Sequence, residues 1–284
     1  MVYGSMKPME LVKRSVKGAL FVFEHGLGDL INYLPVHKEF CRQSKIKVTL
    51  GSSSKRQFNL IDPKIIIVGN DTDIRSRYDI HYRVHYPDSI DSHYPIELHN
   101  EPAKPYLCAI HEMGMRDFIW KPFRMTNKTF NPDSKRVGVH FFGHTGMLDK
   151  FVPQEIVYKV WKEIEDAGFE PFEMHMRPGF SKEYKCSDRG TDDFCLATKK
   201  NSLRFEEPDL KRMIEEIGKC KFFIGIDSGP IYLAGALLGH DRLIGLINGK
   251  RHDHFMPCHI STTKVSSYKD GSIFRILTQK GEWL

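Results

Sequence analysis

Short apolar runs alternate with amphipathic stretches along the chain. Runs such as ALFVFE at 19–24 and FFIGI at 222–226 are almost entirely apolar, as are strands that a parallel sheet buries on both faces. The amphipathic stretches repeat apolar residues every three or four positions, which predicts helices. This alternation predicts an α/β protein with mainly parallel sheets.

In the first half, glycines separate the predicted strands and helices. The first strand leads into His25, Gly26, Leu27 and Gly28 before a helix begins, and Gly114 ends the last helix. The predicted elements are a strand at 19–24, a helix at 29–42, strands at 45–50 and 64–68, a short strand near 79–84, and a helix at 106–114.

The polar stretch MTNKTFNPDSK at 125–135 is the best linker candidate, and the pattern restarts after it. Pro153 suits the first turn of a helix that Gly168 ends. The predicted elements are strands at 136–142, 169–175, 222–226 and 243–247, and helices at 153–167, 208–220 and 230–238. We therefore predict two Rossmann-like domains, 1–130 and 131–284, facing each other across a cleft that the carboxyl ends of their strands line.

The segment DSGP at 227–230 marks one of these strand-to-helix junctions. Asp227 ends the strand, and Pro230 suits the first turn of the helix. Ser228 and Gly229 would bring backbone amides to the helix N-terminus, where the helix dipole favours an anion. Simple capping of the helix by Asp227 and Ser228 is the alternative.

The chain has 284 residues, 40% hydrophobic content and a formal net charge of +6, which fit a globular protein with an anionic ligand such as a nucleotide, a phosphorylated glycan or nucleic acid. No run of about 18 apolar residues occurs, so no membrane span is predicted. The first twenty residues lack the apolar core of a signal peptide. None of the six cysteines forms a CxxC pair, which favours reduced thiols and a cytoplasmic location.

Four segments resemble, in order and spacing, the motifs of the heptosyltransferase-like glycosyltransferases, family 9 of that enzyme class. They are FVFEHGLGDLINYLP at 21–35, LHNEPAKPYLCAIHEMGM at 98–115, VGVHFFGHTGMLDKFVPQEIVYKVWKEIEDAG at 137–168 and DSGPIYLAGALLG at 227–239. The chain departs from the usual motifs at Val152 for tryptophan, Tyr232 for histidine and Gly235 for alanine. The resemblance implies the GT-B fold and metal-independent transfer of a sugar from a nucleotide-sugar donor, in the cytoplasm of a bacterial or phage-infected cell.

The resemblance implies that Asp29 is the general base. His25, Gly26 and Gly28 would lie on the acceptor side. From the residues alone, Asp29 could instead be only the N-cap of the helix at 29–42.

The resemblance also implies donor-binding residues in the second half. They are Gly143, Lys150, Asp227, Ser228, Gly229 and Pro230, with Arg177, Glu207, Arg251 and His252 as further candidates. From the residues alone, Lys150 could equally be an exposed loop lysine, and Glu207 could simply begin the helix at 208–220.

A metal site is not predicted. The segment RHDHFMPCH at 251–259 carries three histidines and a cysteine, but it matches no standard zinc spacing. The resemblance likewise implies that the nucleotide sugar acts as co-substrate without a further cofactor.

Two kinds of acceptor remain open, as does a function without catalysis. The acceptor could be a glycan of the lipopolysaccharide type or another anionic molecule, or hydroxymethylated pyrimidine in DNA, as for phage-type enzymes that extrude the base. Aromatic and basic residues suited to a DNA surface occur within 71–100: Tyr78, Tyr82, Arg83, Tyr86 and Tyr94. A non-catalytic nucleotide-binding module is the alternative of another class, against which the presence of Asp29 argues.

Overall fold

The chain forms two compact units, Met1–Met125 and Thr126–Leu284, in a computed structural model. The structure describes residues 7–14, 18–46, 48–51, 60–61, 67–68, 76–85, 103–125, 135–141, 152–176, 202–205, 210–247 and 261–283. The division falls within the predicted linker at 125–135, and most of that linker lies outside the described residues. Among the helices of the described ranges, none is long and apolar enough to cross a membrane.

The first unit is a four-stranded parallel sheet with helices packed on it. Its elements are helix α1 (Pro8–Leu11), strand β1 (Ala19–Val22), helix α2 (Leu27–Ser44), strands β2 (Val48–Gly51), β3 (Ile67–Val68) and β4 (Ile80–Arg83), and helix α3 (Ala103–Leu107), which continues as a π-helical turn (Cys108–Glu112). The strand order is β3-β2-β1-β4. Every residue of β1 is buried, and the rings of Phe21 and Phe40 lie 5.0 Å apart where β1 meets α2.

The second unit has a six-stranded parallel sheet. Its elements are strand β5 (Arg136–His140), helix α4 (Gln154–Asp166), strands β6 (Glu170–Met176) and β7 (Ser202–Phe205), helix α5 (Leu210–Ile217), strand β8 (Phe222–Gly225), helix α6 (Gly229–Leu238), strands β9 (Leu243–Ile247) and β10 (Ser261–Lys264), and helix α7 (Ser272–Trp283). The strand order is β10-β9-β8-β5-β6-β7. The central strands and the apolar faces of α4 and α7 share one hydrophobic core.

Two predicted helix starts are wrong by two or three residues. Helix α2 begins at Leu27 rather than at residue 29, because Gly26 takes the extended N-cap conformation. Helix α3 begins at Ala103 rather than at residue 106. Pro105 is tolerated in its first turn because the amides there have no partner within the helix.

The sequence pattern did not predict four described elements: α1, β7, β10 and α7. Strands β7 and β10 are short and lie at the two edges of their sheet. The residues of β10 are alternately exposed and half-buried rather than apolar. Edge strands bury less surface than central ones, so their apolar signal is weaker.

Candidate functional site

Each unit places a strand-to-helix junction where the order of its strands reverses. In the first unit, β1 lies between β2 and β4, and in the second, β5 lies between β6 and β8. Open parallel sheets bind ligands outside the carboxyl ends of the strands at such reversal points. The residues that follow β1 include Gly26 to Asp29, and those that follow β8 include Asp227 to Pro230. Most of the predicted site residues that the structure describes therefore lie at the carboxyl edges of the two sheets, beside the reversal points.

The junction after β8 ends in a helix N-terminus that no side chain caps. Ser228 is the N-cap of α6, with an extended backbone, and its side chain makes no capping hydrogen bond. Its hydroxyl lies 3.5 Å from the carbonyl oxygen of Ile226 instead. Within the described part of the chain, the backbone amides of Ser228 and Gly229 have no acceptor. They are available to an anion, which favours the anion-binding interpretation over simple capping.

Asp227 is buried beside this helix N-terminus and is held by Tyr232. Its exposed fraction is 8%. The hydroxyl of Tyr232 donates a hydrogen bond to Oδ1 of Asp227 at 2.7 Å. A buried carboxylate needs such donors because it has lost its hydration. The carboxylate therefore has a defined position at the end of β8.

The neighbouring strand β5 ends beside β8. His140, the last residue of β5, pairs in register with Gly225, and its Nδ1 lies 2.7 Å from the carbonyl oxygen of Met174. The amide of Val152 donates to the carbonyl oxygen of Phe141 at 3.0 Å. Phe141 and Val152, the described residues on either side of 142–151, therefore lie next to each other at the carboxyl end of β5.

In the first unit, the glycine-rich turn leads directly into α2. Gly26 is the N-cap of this helix and Gly28 is buried in its first turn. The His25 ring packs against the ring of Phe23, with the centroids 5.0 Å apart. Asp29 is the third residue of α2 rather than its N-cap, and α2 has no side-chain cap. Capping therefore does not explain Asp29, whose carboxylate nevertheless gains from the helix dipole.

Asp29 forms an ion pair that the sequence did not predict. Nζ of Lys104, in α3, lies 3.7 Å from Oδ1 of Asp29. Lys104 is 75 residues away in sequence. It lies inside the segment at 98–115 that resembles a family 9 motif. No signal in one sequence joins the two residues, because only the packing of α3 against α2 brings them together.

Six predicted residues lie outside the described residues, so their roles stay predictions. They are Gly143, Lys150, Arg177, Glu207, Arg251 and His252. The histidine and cysteine segment at 251–259 also lies outside. In the described ranges alone, no group of three or more His, Cys, Asp or Glu side chains could hold a metal ion.

Comparison with solved structures reveals a shared fold at low sequence identity. A family 9 glycosyltransferase from Veillonella parvula superposes with a TM-score of 0.65 at 11% identity, over 95% of this chain and 99% of that one. ADP-heptose lipopolysaccharide heptosyltransferase II of E. coli gives 0.63 at 12% identity, over 94% and 100%. The chain has the GT-B fold of the family 9 glycosyltransferases. No protein-family model and no curated protein matches the sequence.

The GT-B fold is shared with a third protein, TibC of enterotoxigenic E. coli, described as an iron-containing dodecameric glycosyltransferase. The TM-score is 0.59 at 16% identity, over 94% of this chain and 77% of TibC. For TibC in complex with ADP-D-β-D-heptose, the match covers 87% of this chain but only 62% of that chain. This chain is thus shorter than the TibC chain of that complex.

One departure from the usual family 9 motif has a packing cause in this GT-B chain. A Cβ atom at Gly235 would lie 2.8 Å from Cδ2 of His240 and 3.2 Å from Cδ1 of Leu243. The His240 ring therefore occupies the space that the usual alanine would fill.

Proposed function

We propose that the chain is a glycosyltransferase that moves a sugar from a nucleotide-sugar donor to an acceptor hydroxyl. The observation that carries this proposal is the junction after β8, where a buried Asp227 stands next to an uncapped helix N-terminus. The GT-B fold supports it, since TibC with that fold was crystallised with ADP-D-β-D-heptose.

The donor diphosphate would bind at the N-terminus of α6. The amides of Ser228 and Gly229 and the helix dipole stabilise the negative charge that develops as the diphosphate leaves. Lys150 adds a cation from segment 142–151, which in the sequence joins Phe141 to Val152 at the carboxyl end of β5. Asp227 accepts hydrogen bonds from donor hydroxyl groups. With a cation and a helix N-terminus in these roles, we propose that transfer needs no metal ion.

Asp29 would act as the general base in the first unit. Its carboxylate takes the proton from the acceptor hydroxyl as that oxygen forms a bond to the anomeric carbon of the donor sugar. The bond from that carbon to the diphosphate oxygen breaks, and the electron pair leaves with the nucleoside diphosphate. His25, Gly26 and Gly28 precede Asp29 and would contact the acceptor.

For the acceptor, we propose a glycan of the lipopolysaccharide type or another anionic molecule. We propose that the transfer takes place in the cytoplasm. The structure weakens one feature of the DNA alternative. Tyr82 packs against Phe21, with ring centroids 5.4 Å apart, so it supports the core of the first unit. Tyr86 and Tyr94 lie outside the described residues.

The test combines binding with transfer. Nucleoside diphosphates and nucleotide sugars are screened for an increase in melting temperature, and the best donor is then incubated with a phosphorylated glycan or with hydroxymethylated duplex DNA. We expect nucleoside diphosphate release with the glycan. Release with DNA, together with binding that falls steeply with salt, would instead establish the DNA alternative. Binding without transfer to either acceptor would support the non-catalytic module, and no binding at all would refute the proposal.

A further inference from the structure

We propose that Lys104 is a positioning residue that holds the carboxylate of Asp29 in its catalytic orientation. This inference rests on the proposed function, because it assigns Lys104 a role only through Asp29. Lys104 lies within the segment at 98–115 that resembles a family 9 motif, but it is not among the predicted site residues, and neither the glycine-rich turn nor the DSGP segment contains it.

The geometry of the ion pair differs from that of a solvated surface pair. The Nζ to Oδ1 distance is 3.7 Å, and the side chain of Lys104 is only 16% exposed, whereas that of Asp29 is 34% exposed. The lysine therefore approaches from the protein side. The carboxylate keeps a partly open side that a substrate hydroxyl could reach.

The two oxygens of Asp29 have different surroundings. Oδ1 faces the ammonium group of Lys104. Oδ2 lies on the side of Gly26, where a Cβ atom would be 3.5 Å away, and where glycine leaves that space open. Attraction to Lys104 at one oxygen thus limits rotation of the side chain and leaves the other oxygen directed to the glycine-rich turn.

Helix α2 alone cannot supply this orientation. Its first turn fixes the Cα atom of Asp29, but the carboxylate can still rotate about two side-chain bonds. Groups that take part in proton transfer act only within hydrogen-bond reach of the proton, and a displacement of about 1 Å can cost on the order of 100-fold in rate. Lys104 stands on a different helix, α3, which packs against α2, so its hold on Asp29 depends on tertiary structure.

The test compares Lys104→Met with Lys104→Arg in the full chain. Methionine keeps much of the apolar stem and removes the charge, whereas arginine keeps the charge. We expect Lys104→Met to lower kcat about 10- to 100-fold while the KM for the donor and the melting temperature stay nearly unchanged. Lys104→Arg should recover activity to within about fivefold of wild type, since a single charge at 3.7 Å does not need a particular donor geometry. Lys121→Met, at an exposed lysine of the same unit, is the matched control and should behave as wild type.

A double variant separates positioning from a direct contact with substrate. In the Asp29→Asn background, Lys104→Met should change kcat by less than about twofold, because residues that act through one another are not additive. A full further loss in that background would overturn the inference, as would a wild-type kcat in Lys104→Met. Wild-type protein that transfers no sugar would refute the proposed function itself, so the two failures are distinguished before any variant is measured.

Discussion

Tyr232 donates a hydrogen bond of 2.7 Å to the buried carboxylate of Asp227, five residues before it in the chain. The family 9 motif usually has histidine in place of Tyr232. In this chain the tyrosine that replaces it holds the carboxylate of Asp227. The tyrosine ring is itself buried in α6. The hydroxyl therefore lies in a fixed place at the helix N-terminus.

The pair predicts the effect of Tyr232→Phe. The ring stays, but Asp227 loses one donor in a buried place, which should lower the free energy of unfolding by about 1–2 kcal/mol. Nucleoside diphosphate affinity should also fall, because the carboxylate beside the proposed anion site becomes less fixed. Denaturant unfolding and calorimetry measure the two effects. Tyr106→Phe is the control, since the Tyr106 hydroxyl bonds to no other residue of the described ranges. Equal stability of both variants would contradict the prediction.

Asp29→Asn should reduce sugar transfer about 10²- to 10⁴-fold, the usual contribution of a positioned general base. Asparagine keeps the shape of the side chain but cannot accept the proton. Donor affinity should barely change, because the candidate donor residues belong to the other unit. Rate, donor affinity and melting temperature are measured on the same preparation. Full activity would mean that the base lies elsewhere.

Lys150→Ala should weaken nucleoside diphosphate binding by about 1–3 kcal/mol, the cost of losing a charge-assisted hydrogen bond. Isothermal calorimetry gives the affinity. Lys162→Ala removes an exposed lysine from α4 of the same unit and provides the control. If both variants bind as wild type does, Lys150 is not part of the site.

Glu163→Gln should destabilise the second unit by about 2–4 kcal/mol. The buried carboxylate of Glu163, in α4, accepts hydrogen bonds from three backbone amides at the start of α7. The donors are the amides of Gly271 at 2.7 Å, Ile273 at 2.8 Å and Phe274 at 3.0 Å. Glutamine offers one acceptor oxygen and turns a donor group toward the amides. Denaturant unfolding tests this, with Glu215→Gln, on an exposed position of α5, as the matched variant. A similar small change in both would show that Glu163 does not anchor α7.

His37 should make the protein less stable at mildly acid pH. Its pKa is lowered from the ordinary value of 6.5 to about 4, mainly by burial; a backbone hydrogen bond with Val48 partly opposes this, and the charge of Lys38 adds to the lowering. Because the unfolded chain binds a proton at higher pH than the folded one, stability is full above pH 6.5 and falls as the pH drops toward 4. From pH 7 to pH 5 this amounts to about 2 kcal/mol.

The variant His37→Phe isolates this contribution, since other groups also titrate in that range. Between pH 7 and pH 5, its free energy of unfolding should fall by about 2 kcal/mol less than that of wild type. An unchanged pH dependence in the variant would show that His37 is not the group responsible.

The sequence alone determined the strands and helices that bury much apolar surface. The apolar runs at 222–226 and 243–247 became β8 and β9, and the apolar face of Leu210, Met213, Ile214 and Ile217 is buried in α5. These patterns are local, because a central strand or an amphipathic helix must carry its hydrophobic residues at a fixed period. The DSGP junction was visible for the same reason, since its residues are consecutive.

The contacts between residues far apart in sequence depend on tertiary packing. The ion pair between Asp29 and Lys104 joins residues 75 positions apart. The hydrogen bonds from three backbone amides to Glu163 join residues 108 to 111 positions apart. Such contacts depend on how helices pack, and packing leaves no period in the sequence. The short edge strands β7 and β10 were missed because a neighbouring strand, rather than a strong apolar pattern of their own, fixes them.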